Sequence, residues 1–179
     1  MLTSMEIDTA RNEAISMLAA AGIELTSEEK SGMEVADFGL GNLRASGLQI
    51  VVYVNTSRCC AKELVMSPRQ TCPQHIHPPV GSDPGKEETF RCRWGEVYLY
   101  VPGEPSSVPA CAPPTGHESY YTVWHEIKLT PGQQYTILPG TPHWFQSGDR
   151  GAIVSEFSTT SRDEFDIFED PGIIRVPVN

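Results

Sequence analysis

His75-Ile76-His77, Glu88 and His143 constrain the fold of this 179-residue chain more than any other feature. Three imidazoles and a carboxylate are a ligand set for a divalent transition metal, and four protein ligands on a six-coordinate ion leave positions open for another molecule. Alternate residues of a strand point to the same face, so both rings of a His-x-His pair reach one ion from one side of a sheet. Glu88 opens the run Glu88-Thr89-Phe90-Arg91-Cys92-Arg93-Trp94-Gly95, whose β-branched and aromatic residues predict a strand ended by a glycine bend. His143 follows Tyr135-Thr136-Ile137-Leu138 and a Pro139-Gly140 turn, which places it at the start of another strand. Ligands drawn from three strands imply a sheet that wraps around the ion.

The rest of the chain agrees with one all-β domain over residues 1–179, with a helix and connector over about 1–30 and a barrel over about 31–179. Asp8 to Ala21 reads as a helix carrying Ala14, Met17, Leu18 and Ala21 on one stripe, with Gly22 as its stop and Thr26 to Lys30 as a polar turn. Leu48 to Val54 and Cys59 to Met66 flank Asn55-Thr56-Ser57 as a hairpin, and further strands are predicted at Thr89–Val101, Tyr121–Leu129, Gln134–Leu138 and Gly151–Ser158. Thr130-Pro131-Gly132 and Gly148-Asp149 supply turns, and the proline-rich stretch from Pro102 to Gly116 is an irregular connection. His117 sits in a Pro/Gly/Ser-rich segment and is expected to be a solvated loop residue, whereas His125 alternates with Val123 and Ile127 and is expected on a core or pocket wall. The net charge of −10 argues against nucleic acid or an anionic membrane as partner. An odd count of five cysteines without CxxC spacing fits reduced thiols, and no apolar run approaches the ~20 residues of a membrane span, so the cytosol is the expected compartment.

The ligand spacing resembles the two motifs of the cupin β-barrel, a double-stranded β-helix. His75-x-His77 and Glu88 with six residues to Gly95 match the first motif, and Gly132 through Pro139, Gly140 and His143 match the second. Two departures stand out: Arg69 occupies the place of the motif's leading glycine, and the ten residues from Pro78 to Glu87 replace a gap of three or four. Their Pro and Gly content predicts a loop over the pocket mouth. The blocks Val35-Ala36-Asp37-Phe38-Gly39-Leu40-Gly41, Cys60-Ala61-Lys62-Glu63-Leu64, Glu88 to Tyr98, His143-Trp144-Phe145 and Val154-Ser155-Glu156-Phe157-Ser158 resemble those of the cupin-type D-lyxose ketol-isomerases.

That resemblance implies Mn²⁺, or another divalent metal such as Co²⁺, Fe²⁺ or Zn²⁺, held by His75, His77, Glu88 and His143. It implies Lys62 and Glu156 as an acid/base pair, and a small free sugar such as D-lyxose or D-mannose as substrate. Strand alternation places Lys62 with Leu64 and Met66, and Glu156 with Ala152 and Val154, on apolar faces. Moving a hydrogen between C1 and C2 of a sugar suits a Lewis acid beside such a pair, and both proton transfer and a metal-assisted hydride shift fit it. Glu126 is the reserve base, and Trp144 or Phe145 is expected to wall the sugar. The alternatives are an iron-dependent cupin dioxygenase with the same ligands and a non-enzymatic, metal-dependent sugar-binding cupin. A homodimer is the default assembly for a barrel with exposed edge strands.

Overall fold

A computed structural model describes residues 2–175. Two helices, α1 (Ser4–Ala20) and α2 (Ser27–Gly32), precede nine strands: β1 (Glu34–Ala36), β2 (Leu48–Asn55), β3 (Cys60–Met66), β4 (Thr71–Ile76), β5 (Glu88–Val101), β6 (His125–Leu129), β7 (Gln134–Ile137), β8 (His143–Ser158) and β9 (Ile167–Phe168). All the strand pairs are antiparallel.

The two long strands, β5 and β8, organise the barrel. They pair along their length, from Glu88↔Ser158 to Tyr100↔Trp144. The C-terminal half of β8 also pairs with β3, which continues through β2 to β1, and its N-terminal half pairs with β4, which continues to β9. On the far side of β5, β7 takes the first half and β6 the second. One ribbon thus crosses between two facing sheets, the double-stranded β-helix expected from the ligand spacing. The crossing needs glycine. Gly95 and Gly151 adopt φ of 70° and 86°, and a Cβ on Gly95 would lie 2.1 Å from the Gly151 carbonyl oxygen. Register shifts on β5 between Cys92 and Trp94 and between Gly95 and Val97 bend the ribbon there. The stretch around Gly148-Asp149, expected to be a turn between strands, is therefore a bend inside continuous β8.

Between the sheets lies the main core, including Phe90, Cys92, Leu99, Phe145 and Val154. α1 covers an outer face, where Ala14 and Leu18 pack with Val51, Val65 and Ile153. This helix starts at Ser4 rather than Asp8, because Thr3 and Glu6 form a reciprocal capping box. A second box, Thr26 with Glu29, turns the expected polar turn into α2. The proline-rich connection packs on another outer face, where Tyr100 stacks on Trp144 at 3.9 Å beside Tyr121 and Cys111. Strand structure after that connection begins only at His125, with Glu118–Tyr120 forming a single 3-10 turn.

The five cysteines are free, Cys59 exposed and the other four buried. His125 is exposed rather than on a core wall, its Nδ1 3.0 Å from the Glu104 carbonyl oxygen, because its side chain leaves the end of β6 toward Gly103. His117 is not simply solvated: its Nδ1 lies 2.6 Å from Oδ2 of buried Asp170. Among the described residues no helix is long and apolar enough to cross a membrane.

Candidate active site

Alternation along β3 and β5, and along each half of β8 on either side of its bend, assembles a cavity above the barrel core. Lys62 and Leu64, Glu88 and Phe90, and Glu156 and Phe145 share its wall. β4 reaches the same wall differently: Cys72 and His75 both face inward though three residues apart, because the ladder is irregular around Pro73, which has no amide hydrogen to donate. His75 then sits opposite His143 in register, with ring centroids 4.3 Å apart, and His77 follows at 4.9 Å from His75.

The three imidazoles bring their ligand atoms within 4.8 Å of one another. Their Nδ1 atoms are already engaged: His75 with the Pro73 carbonyl at 2.8 Å, His143 with the Thr141 carbonyl at 2.9 Å, and His77 with Asp166 Oδ1 at 2.5 Å. An Nδ1–H that donates to an oxygen leaves the Nε2 lone pair free, the tautomer a metal ligand requires. Glu88 joins them, its Oε1 3.2 Å from His77 Nε2 and 3.0 Å from His143 Nε2. The latter approach lacks hydrogen-bond geometry, so the wholly buried His143 Nε2 has no hydrogen-bond partner. A buried nitrogen of that kind beside a carboxylate and two more imidazoles fits a divalent cation.

Lys62 and Glu156 are both buried and lie opposite each other in the β3–β8 register, Nζ and Oε1 4.0 Å apart. Lys62 also donates to Asp163 at 2.6 Å and to the Ser161 hydroxyl at 2.7 Å. Between Glu156 and Glu88 stands a group that sequence reasoning missed. The ammonium of Lys86 lies 3.1 Å from Glu156 Oε1 and 2.8 Å from Glu88 Oε2. The Pro78–Glu87 insertion, expected only to cover the mouth, folds back and delivers this lysine into the wall. Gly85 permits the return: its φ is 106°, and a Cβ there would meet the His77 carbonyl oxygen at 2.4 Å. A signal was present, because Lys86, Glu88 and Phe90 share one face by alternation.

The C-terminal segment supplies the other unanticipated residues. Asp163, Asp166, Phe168 and Arg175 all line the cavity, and Phe168 packs on His75 with centroids 5.3 Å apart. No periodic pattern in the sequence marks them. Of the two aromatics after His143, Phe145 lines the cavity, while Trp144 points outward and donates its indole N–H to the Val123 carbonyl. Glu126 accepts from the Tyr100 hydroxyl and the Ala110 amide outside the cavity, so the structure gives no support to it as reserve base.

Charge in the cavity is sorted by its neighbours. Burial, reinforced by His143 and His77, holds the His75 imidazole well below the usual histidine range, so it is neutral. Burial resists charge on His77, but Glu88 and the Asp166 hydrogen bond push it up to about 9, so an ion bound there would displace the proton on Nε2. Burial also opposes charge on Lys86 and on Glu88. Glu156 and Glu88 nevertheless raise Lys86 well above the usual lysine range, and Lys86 with His77 holds Glu88 well below the usual carboxylate range. For Lys62 burial is outweighed by Glu156 and Asp163, so this ammonium too stays charged.

No family model matches the chain. Among curated proteins, a D-lyxose ketol-isomerase of Cohnella laeviribosi is 66% identical over 169 residues, covering 94% of this chain and 93% of the relative. A D-lyxose/D-mannose isomerase of Thermosediminibacter oceani is 60% identical over 177 residues, 99% of this chain and 98% of the relative. Among solved structures, an L-ribose isomerase of Cellulomonas parahominis superposes with a TM-score of 0.80 at 18% identity, covering 99% of this chain and 96% of that one. An L-ribose isomerase of Acinetobacter sp. DL28, solved with L-ribose, also gives 0.80 at 18% identity over 96% and 94% of the two chains. At such low identity those two show the shared cupin-type fold, whereas the curated relatives, matched almost end to end, show that the chain belongs to the D-lyxose ketol-isomerase family.

Proposed function

We propose that this chain is a divalent-metal-dependent isomerase of free aldoses, converting D-lyxose to D-xylulose and D-mannose to D-fructose, with Mn²⁺ as its ion. The observation that carries this reading is the juxtaposition, in one buried cavity, of three imidazoles with oriented Nε2 atoms, Glu88, and a Glu156 carboxylate flanked by two ammonium groups. A binding module needs no carboxylate and ammonium groups beyond the ligands, and a dioxygenase has no evident use for the Lys62–Glu156–Lys86 cluster. The relatives named as isomerases point the same way.

His75, His77, Glu88 and His143 would hold the ion. Bound there, a divalent cation supplies Lewis-acid stabilisation of charge at O1 and O2 and acidifies the carbon hydrogen between them. Glu156 Oε1 removes the proton from C2 of the aldose and returns it to C1, the carboxylate serving first as base and then as acid. Lys62 and Lys86, 4.0 and 3.1 Å from that oxygen, hold the carboxylate in place for the transfer. The Lys86 Nζ, poised between Glu156 and Glu88, moves the compensating proton at the sugar oxygens. Phe38, Phe145 and Phe168 supply the apolar part of the wall, which excludes water from the transfer.

We further assign the chain to the cytosol, where its five free cysteines remain reduced, and to a homodimer. β2 supports the dimer: beyond its pairing with β1 its edge runs on through Val52, Tyr53 and Val54, which are 46%, 41% and 39% exposed. The deciding experiment incubates Mn²⁺-loaded protein with D-lyxose, D-mannose and L-ribose and separates the products. D-xylulose from D-lyxose is the expected result, and absence of any ketose from every aldose would overturn the reading.

A further inference from the structure

The three imidazoles are not anchored alike. His75 and His143 each lean on the carbonyl two residues earlier in the chain, Pro73 and Thr141, so their orientation is built into local backbone. The residue two before His77 is His75, and no such carbonyl anchors His77. Its Nδ1 is instead held by the carboxylate of Asp166, 89 residues away, whose side chain is only 8% exposed.

Asp166 rides on a strap, residues 161–175, whose Asp163, Asp166, Phe168 and Arg175 line the cavity. Polar contacts pin the strap on both sides of Asp166. Asp163 binds Lys62, Asp170 binds His117, and the Ile174 amide donates to the Phe38 carbonyl at 2.9 Å. β9 docks it beside the ligands, with Phe168 opposite His75 and the Glu169 amide donating to the Gln74 carbonyl at 3.1 Å.

We infer that Asp166 is a positioning residue for the metal ligand His77, and that docking of the 161–175 strap thereby sets how tightly the site holds its ion. This inference rests on the metal centre proposed above. A carboxylate on Nδ1–H fixes the tautomer and ring plane and makes Nε2 a better donor, and loss of such a partner elsewhere weakens metal binding about 10- to 100-fold. Because this partner arrives on a separate segment, pins far from the ion act on the same equilibrium. The His117–Asp170 contact is such a pin, since neither residue lines the cavity.

The test strips the full-length protein of metal with a chelator and titrates Mn²⁺ by calorimetry, without reference to turnover. Asp166→Leu removes the acceptor, whereas Asp166→Asn has nearly the same shape and keeps an Oδ1 acceptor. Weakening of about 10- to 100-fold in the first, largely restored in the second, is the expected result. His117→Ala should weaken Mn²⁺ by about 2- to 30-fold, the range of coupling carried through packed elements. A merely structural role predicts lowered melting temperatures with Kd unmoved for the folded protein. Asp166→Leu binding Mn²⁺ like the parent would overturn the positioning role, and unchanged affinity in His117→Ala would overturn the link to the strap. Failure of the parent itself to bind Mn²⁺ would overturn the proposed metal centre along with this inference.

Discussion

Replacing Lys86 with methionine tests the cavity most directly, because it keeps an unbranched side chain only one atom shorter and removes one buried charge. The ammonium stands 2.8 Å from Glu88 and 3.1 Å from Glu156, and all three side chains are at most 6% exposed. At an effective dielectric constant of about 20, those separations correspond to gross attractions of about 6 and about 5 kcal/mol. Desolvation of the three groups offsets much of this, and breaking a buried pair by removing one partner costs about 3–5 kcal/mol, because the remaining carboxylates keep their burial and lose their counter-charge. For a domain of this size that is a fall in Tm of about 6–20 °C in the metal-free protein. Scanning calorimetry of the metal-free protein reads this directly, and Lys128→Met is the control. Lys128 pairs with Glu96 at 2.9 Å at an exposed site, where screening leaves little to lose, so its Tm should not move. In the Mn²⁺-loaded protein, Lys86→Met should also lower kcat by about 10²-fold or more, as expected for loss of a proton-transfer group. Equal melting temperatures for Lys86→Met and the control would refute the electrostatic reasoning, and an unchanged kcat would remove Lys86 from the proposed proton path.

Glu156→Gln should keep Mn²⁺ affinity and lose about 10²-fold or more in kcat with D-lyxose, and Lys62→Met should show the same separation of binding from turnover; near-parental rates for Glu156→Gln would disqualify it as the base. Chelation should abolish turnover and leave the far-ultraviolet circular dichroism of the barrel intact, since none of the four ligands belongs to the hydrophobic core, with activity returning on adding Mn²⁺. Gly95→Ala should yield little folded protein in a solubility and thermal-melt assay. Its Cβ would fall 2.1 Å from a backbone oxygen on a residue already at φ 70°, and neither strand of the central ribbon can give way.

Much of the site was legible because alternation in strands is a local property. His75 and His77, Lys62 with Leu64, and Glu156 with Val154 fall on their faces by counting in twos, and the structure puts all of these faces toward the interior. Counting failed where the ladder is irregular. Nothing in Cys72-Pro73-Gln74-His75 reveals that residues three apart share a wall, and Gly148-Asp149 imitates a turn because the bend of β8 needs the same residue types a hairpin would. The Thr3–Glu6 and Thr26–Glu29 boxes were readable and would have set both helix starts.

By itself, then, the sequence determined a curled all-β frame and the placing of His75 with His77, Lys62 with Leu64 and Glu156 with Val154, because these follow from residue type and strand period, while the full ligand set with Glu88 and His143 and the inward direction of Lys62 and Glu156 rested on the resemblance to the cupin-type isomerases. Only the tertiary structure decided which groups stand next to them. Lys86 enters on the return of a loop, and Asp163, Asp166, Phe168 and Arg175 arrive on a strap some 90 residues beyond the His-x-His pair. The contacts of the strap depend on long-range packing and charge pairing that leave no period in the chain, so they became visible only when β8 had brought the two sheets together.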